Sequence, residues 1–142
     1  MRRSDVPNRR RVRRASVALT GVAALTLAGC AVVDAVIWGP EGSRVIATTE
    51  QLIAGASGAD ATDLTCDDFV GDLGEPDAWS GLSAGEPEAF DAEASVDRPN
   101  LDATWRINLE GMGSGMSPTD VFYRETGDSL CVADVIWQAP IG

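Results

Sequence analysis

The chain has 142 residues, 22 Asp+Glu against 11 Lys+Arg, no histidine and a net charge of −11. That length suits one small domain, and the acid excess argues against binding nucleic acid, or an anionic membrane face, by charge. Without histidine the Ser-His-Asp and Cys-His arrangements are excluded, and every basic residue being arginine excludes lysine nucleophiles as well.

In chain order the first feature is a cationic stretch, Arg2, Arg3, Arg9, Arg10, Arg11, Arg13 and Arg14, followed by an apolar run over residues 15–28. The run is shorter than the roughly 20 apolar residues that span a bilayer, so it reads as a signal, not a permanent helix. It ends in Leu27-Ala28-Gly29-Cys30, which resembles the lipobox of bacterial, actinobacterial-type lipoproteins. The resemblance implies a diacylglyceryl thioether on Cys30, cleavage after Gly29 and residence on the extracytoplasmic face of the cell membrane. Two acyl chains make such an anchor durable, because each buried methylene contributes about 0.8 kcal/mol and one chain holds only marginally. The plainer reading makes Cys30 an ordinary cysteine near the end of a signal or membrane anchor. Twin-arginine export is a weaker expectation, since Arg13-Arg14-Ala15-Ser16-Val17 lacks that route's apolar pattern.

The expected organisation is a leader over residues 1–29, a lipidated N-terminus and tether over 30–47, and a domain over 48–142. Seven of the 11 basic residues and one of the 22 acids fall in the leader. The remaining 113 residues therefore hold only Arg44, Arg98, Arg106 and Arg124 against 21 carboxylates, a net charge of −17. A high-GC composition and solubility account for that excess without any specific role. After Cys30 only Cys66 and Cys131 remain; an even pair in an exported chain predicts a disulfide between them.

Within the tether Val32, Val33, Val36, Ile37 and Trp38 are too apolar for a free linker. They either lie in the membrane interface or form a first strand or helix turn, with Gly39-Pro40 as a stop. A first helix is expected from Thr48 or Thr49, where Thr48 and Gln51 have capping-box spacing and Leu52, Ile53 and Ala56 make an apolar face. A second is expected over 63–72, because Cys66, Phe69, Val70 and Leu73 recur at i, i+3, i+4 and i+7, before Gly74 and Pro76 end it. Residues 75–88 read as a loop with Trp79 and Leu82 plugged into the core. Residues 88–96 read as strand or short helix, and Arg98-Pro99-Asn100 as a hairpin connection.

The clearest strand pattern is Ala103, Trp105, Ile107 and Leu109 alternating with polar residues. Past the glycine-rich segment 111–115, strands are expected over 120–125 and 130–137. Strict alternation puts Cys131, Ala133, Val135 and Trp137 on one face, which should meet the helix carrying Cys66. The expected fold is thus α+β, two short helices packed on a curled antiparallel sheet of about four strands. A helix pair followed by such a sheet, with Cys66 and Cys131, Thr104-Trp105-Arg106 and Asp134-Val135-Ile136-Trp137, resembles the NTF2-like (cystatin-like) family of small lipoproteins over residues 48–139. The usual third helix is missing or replaced by residues 75–88.

The chemistry left to such a chain is that of carboxylates, with Tyr123 as a donor. Asp67, Asp68, Asp72, Glu75 and Asp77 form the densest group; two of them facing across a cleft at about 5 to 9 Å would suit glycoside hydrolysis, and several converging would suit calcium. A solvated acidic face is the simpler account, and no Asp-x-Asp-x-Asp-Gly loop is present. The 111–115 run lacks the Gly-Lys-Ser/Thr end of a phosphate loop, and two cysteines without histidine do not complete a zinc sphere. Trp38, Trp79, Trp105 and Trp137 suit a core better than a sugar pocket. Together these features lead to a non-catalytic envelope module held to the membrane by its lipid, with an envelope protein or small ligand as partner, no nucleic acid and no cofactor. A carboxylate-dependent cell-wall glycan hydrolase and a cation-binding module are the alternatives.

Overall fold

The structure, a computed structural model, describes residues 28–111, 113 and 115–139. One helix, α1 (Ala28–Ser57), lies on a four-stranded antiparallel sheet of β1 (Leu82–Ala89), β2 (Trp105–Gly111), β3 (Ser117–Thr126) and β4 (Ser129–Gln138). Two short 3-10 turns, Thr62–Leu64 and Pro76–Trp79, interrupt the connection between helix and sheet. The strands follow one another in the order β1-β2-β3-β4, and the sheet does not close. The fold is the expected α+β class, with one helix in place of two.

Residue Gly39, at φ 74°, divides α1 into two helical segments, and Pro40 follows it. A proline suits a helix start, where its missing N–H has no partner to lose. The second segment buries Gly42, Val45, Thr49, Leu52, Ile53 and Ala56, a stripe at helical spacing. The helix therefore starts well before Thr48. The capping-box spacing there is overridden by the apolar stripe that begins upstream at Gly42 and Val45, and the Thr49 hydroxyl donates to the Val45 carbonyl inside the helix at 2.8 Å. A Cβ on Gly42 would stand 2.7 Å from Trp38 Cβ, so glycine is what lets Trp38, across the break at Gly39, pack against the start of the second segment.

The second expected helix does not form. After the turn Thr62–Leu64 the chain is extended, with Thr65 bridged in parallel to Val132 and the Cys66 N–H donating to the Val132 carbonyl at 2.9 Å. Pairing to β4 outweighs the helical periodicity, and Val70, one of the four periodic residues, is 99% exposed. Phe69 and Leu73 pack on the core from an irregular segment. That segment is held by two indoles: Trp79 Nε1 donates to the Leu73 carbonyl and Trp137 Nε1 to the Asp72 carbonyl. Their rings meet edge to face at 6.0 Å. Trp79 is fully buried, as a plug should be, and contributes about 1.5 to 3 kcal/mol or more by the area it removes from water.

Residues 82–89, read as the end of a loop, are β1, and residues 92–96 form neither strand nor helix. The signal was masked by Gly85 and Pro87, which are unusual inside strands. Here they fit because β1 is an edge strand whose register shifts between Ala84 and Pro87. Each sheet edge is met by another part of the chain at one point. The Ala84 N–H on β1 donates to the Glu50 carboxylate of α1 at 2.7 Å, and β4 is flanked by Thr65 and Cys66. Open edges template aggregation, and side-chain or chain cover blunts them.

The cross-strand rows Pro87, Ile107, Val121, Val135 and Ala89, Trp105, Tyr123, Val132 face α1. Val132 and Val135 share that face because the register of β3 and β4 shifts between Phe122 and Tyr123, leaving Ala133 as the extra residue of a bulge. Strict alternation fails there, and Cys131 pairs with Arg124 on the opposite face.

Candidate functional site

The side of the sheet away from α1 carries the polar chemistry. Its central row runs Glu88, Arg106, Phe122, Asp134 across the four strands. The connection over residues 90–104 folds across it: the Phe90 ring meets Phe122 edge to face at 4.9 Å, and Arg98 reaches Asp134 at 2.5 Å. Phe122 is buried by this cover although it lies outside the main core.

Three arginines stand on this face as side chains of alternating strand positions or of the covering connection. Arg106 pairs with Asp120 at 2.8 Å, Arg98 with Asp134, and Arg124 with both Asp68 and Asp102 at 2.9 and 3.0 Å. Arg44, on α1, pairs with Glu125 at 2.9 Å and donates to the Asp128 carbonyl. All four arginines from Cys30 onward are thus engaged by carboxylates, which lowers their availability to an anionic ligand. The Arg124 guanidinium hydrogen-bonds Asp68 and holds its carboxyl below the usual carboxylate range.

Asp67, Asp68, Asp72, Glu75 and Asp77 do not converge. All five are exposed; Asp68 is tied to Arg124, and the Asp72 carboxylate accepts the Gly74 N–H in a turn. Asp120 is the buried carboxylate among the described residues. It accepts from Arg106 and from the Thr119 hydroxyl, and borders a cavity of about 160 Å³ with Glu86, Glu88, Arg106 and Asn108. This grouping escaped the sequence reading because Glu86 and Glu88 belong to the strand taken as a loop. Among the described residues no group of three or more His, Cys, Asp or Glu side chains is placed to hold a metal ion.

The phenol Tyr123, considered as a donor, is sealed in the core. Its hydroxyl lies 2.9 Å from Thr49 Oγ1 and has no solvent exposure, and burial pushes its pKa well above the ordinary value. Tyr123 can therefore exchange no proton with an external substrate.

Cys66 and Cys131 form the expected disulfide, with Cα atoms 4.9 Å apart. It does not join a helix to the inner sheet face, as expected, but ties the extended segment at Cys66 to the edge strand β4. Closing a loop of 65 residues constrains the unfolded chain by about 4 kcal/mol in the chain-entropy model. Shallow depressions of mixed polar and apolar lining flank the bridge. One, of about 320 Å³, is lined by Asp67, Asp68, Arg124 and Thr126; the other, of about 480 Å³, by Arg44, Thr48, Gln51, Asp63 and Asp128.

The backbone at Cys30 is helical, in the first turn of α1. The cationic stretch and the apolar run before Ala28, expected to be a leader, lie outside the described residues, as do Met112 and Ser114 of the glycine-rich segment. No described helix is long and apolar enough to cross a membrane. No family model, curated protein or solved structure matches the chain. Of the features behind the NTF2-like resemblance, the disulfide and the sheet are present and the helix pair is a single helix.

Proposed function

We propose that this protein is an extracytoplasmic lipoprotein of the cell membrane whose small α+β domain serves as a non-catalytic interaction module for another envelope component or a small ligand. The observation that carries the reading is Leu27-Ala28-Gly29-Cys30 directly after an arginine-rich and then apolar leader. The bridge between Cys66 and Cys131 supports it, since such bridges persist in oxidising compartments. The domain's own chemistry favours the non-catalytic part of the reading. Its arginines are ion-paired, its tyrosine is sealed, and the acids that a glycan hydrolase would recruit from residues 67–77 stand apart on exposed turns.

The test is metabolic labelling with palmitate in the native host. Label should follow the protein and disappear in Cys30→Ala. Label that persists in the variant, or a native protein that begins at Met1 with a free thiol at Cys30, would overturn the reading.

A further inference from the structure

The first segment of α1 is built differently from the second. Residues 40–57 bury their apolar stripe under the sheet, whereas Val33, Val36 and Ile37 are 56%, 81% and 62% exposed. These three lie at i, i+3 and i+4, so they form one continuous apolar face of a helix. Helical register puts position 30 on the same side as positions 33 and 37, with the acid Asp34 at the border of that face. Val33 is one turn, about 4.5 Å of rise, beyond Cys30. Among the described residues nothing folds back to cover the patch: the helix is broken at Gly39, and Trp38, half-buried, is the point where it joins the packed part.

We propose that Val33, Val36 and Ile37 lie in the interfacial zone of the membrane, so that the first segment of α1 is a second, protein-made contact with the lipid that Cys30 carries. The proposal rests on the reading of Cys30 as the anchored residue. Two observations select lipid as the occupant. The face is continuous along the helix with the anchor position, so a chain held at the bilayer by Cys30 brings it to the lipid first; and the segment carries no arginine, so contact depends on apolar area and not on attraction to anionic headgroups. The break at Gly39 and Pro40 then marks where the chain leaves the interface and enters the water-facing domain. An acyl chain alone leaves a domain swivelling on its tether. An apolar helix face in the interface fixes the height and direction at which the domain begins.

The cysteine inventory supplies a clean probe. With Cys30 acylated and Cys66 bridged to Cys131, Val36→Cys introduces the one free thiol, and Ala54→Cys does the same on the exposed side of the packed segment. Each full-length variant is expressed for export, purified in its mature form, labelled with a nitroxide and placed in phosphatidylcholine vesicles. Collision with oxygen, which concentrates in lipid, is then compared with collision with a water-soluble nickel complex. At position 36 oxygen should relax the label several-fold more effectively than nickel, with the order reversed at position 54. Equal, nickel-dominated behaviour at both positions overturns the interfacial contact, as does spin–spin broadening at position 36 that shows a second copy of the chain covering the face. Intact mass reads the anchor separately. A diacylglyceryl mass on Cys30 with a water-exposed label refutes the contact and leaves the anchor standing, whereas an unmodified, uncut chain, in which Cys30 itself takes the label, removes the anchor and with it the contact that rests on it.

Discussion

The only tyrosine in the chain shows how one side chain couples packing to solution behaviour. Thr49 Oγ1 spends its proton on the Val45 carbonyl, so at 2.9 Å the Tyr123 hydroxyl must be the donor to Thr49. Burial raises the phenol's pKa in the folded state above the unfolded value of about 10. The native protein then keeps a proton that the unfolded chain loses, so this stabilisation is complete below pH 10 and is lost as pH rises beyond it. The slope approaches about 1.4 kcal/mol per pH unit. Lysine is absent, so little else titrates between pH 10 and 12. Tyr123→Phe should cost about 1 to 2 kcal/mol at pH 7, where it leaves the Thr49 oxygen short of a donor, and should flatten the alkaline fall. Urea unfolding at pH 7 and at pH 11 measures both effects; a wild-type stability that stays level past pH 10 would contradict the burial argument. The sequence identified Tyr123 as a lone phenol but not its confinement, because that depends on a partner on α1, 74 residues away.

Among the elements, α1 ends in a way that invites a stabilising change. The Asp60 N–H donates to the Gly55 carbonyl and the Ala59 N–H to the Ala56 carbonyl, the paired bonds of a Schellman ending, with Ala59 in the left-handed conformation at φ 60°. Glycine is favoured there because a Cβ in this region costs about 1 to 2 kcal/mol, partly offset by the unfolded-state entropy that alanine saves. Ala59→Gly should therefore raise stability by about 0.5 to 1 kcal/mol, read as a higher urea midpoint at unchanged slope; a lower midpoint would refute the strain. The elements legible in advance were those with local signals: β2 from its alternation, β3 and β4 near their observed limits, and the bridge from cysteine parity. Non-local forces decided the rest. The helix at 63–72 lost to pairing between Thr65 and Val132, β1 was hidden by Pro87 on an edge that needs no full ladder, and the bulge at Ala133 moved Cys131 to the face with Arg124. The weak strand signal of β1 also conceals Glu86 and Glu88 beside Asp120, while Val33, Val36 and Ile37 are too apolar for a linker yet carry no local signal that separates a helix face from a strand.

At the scale of the whole molecule, charge is the dominant property. From Cys30 onward 21 carboxylates face four arginines, and those four engage only Asp68, Asp102, Asp120, Glu125 and Asp134 among them. The ion pairs are mostly half-exposed, and such pairs are individually worth about 0 to 1 kcal/mol. Repulsion among the excess acids acts over the whole surface and opposes the compact state. Added salt weakens both, but the Debye length falls from about 30 Å at 0.01 M to about 10 Å at 0.1 M, which removes the long-range repulsion while leaving contacts near 3 Å comparatively intact. The repulsive part should therefore yield first. Raising sodium chloride from 0.01 to 0.5 M should lift the thermal midpoint by several degrees, where about 1 kcal/mol corresponds to roughly 4 °C in a domain of this size. A falling midpoint in calorimetry would mean that the five arginine–carboxylate contacts outweigh the net charge. The same repulsion acts between the domain and an anionic leaflet, so attachment through Cys30 and the apolar face of α1 would hold one end at the lipid while charge keeps the acidic body in water.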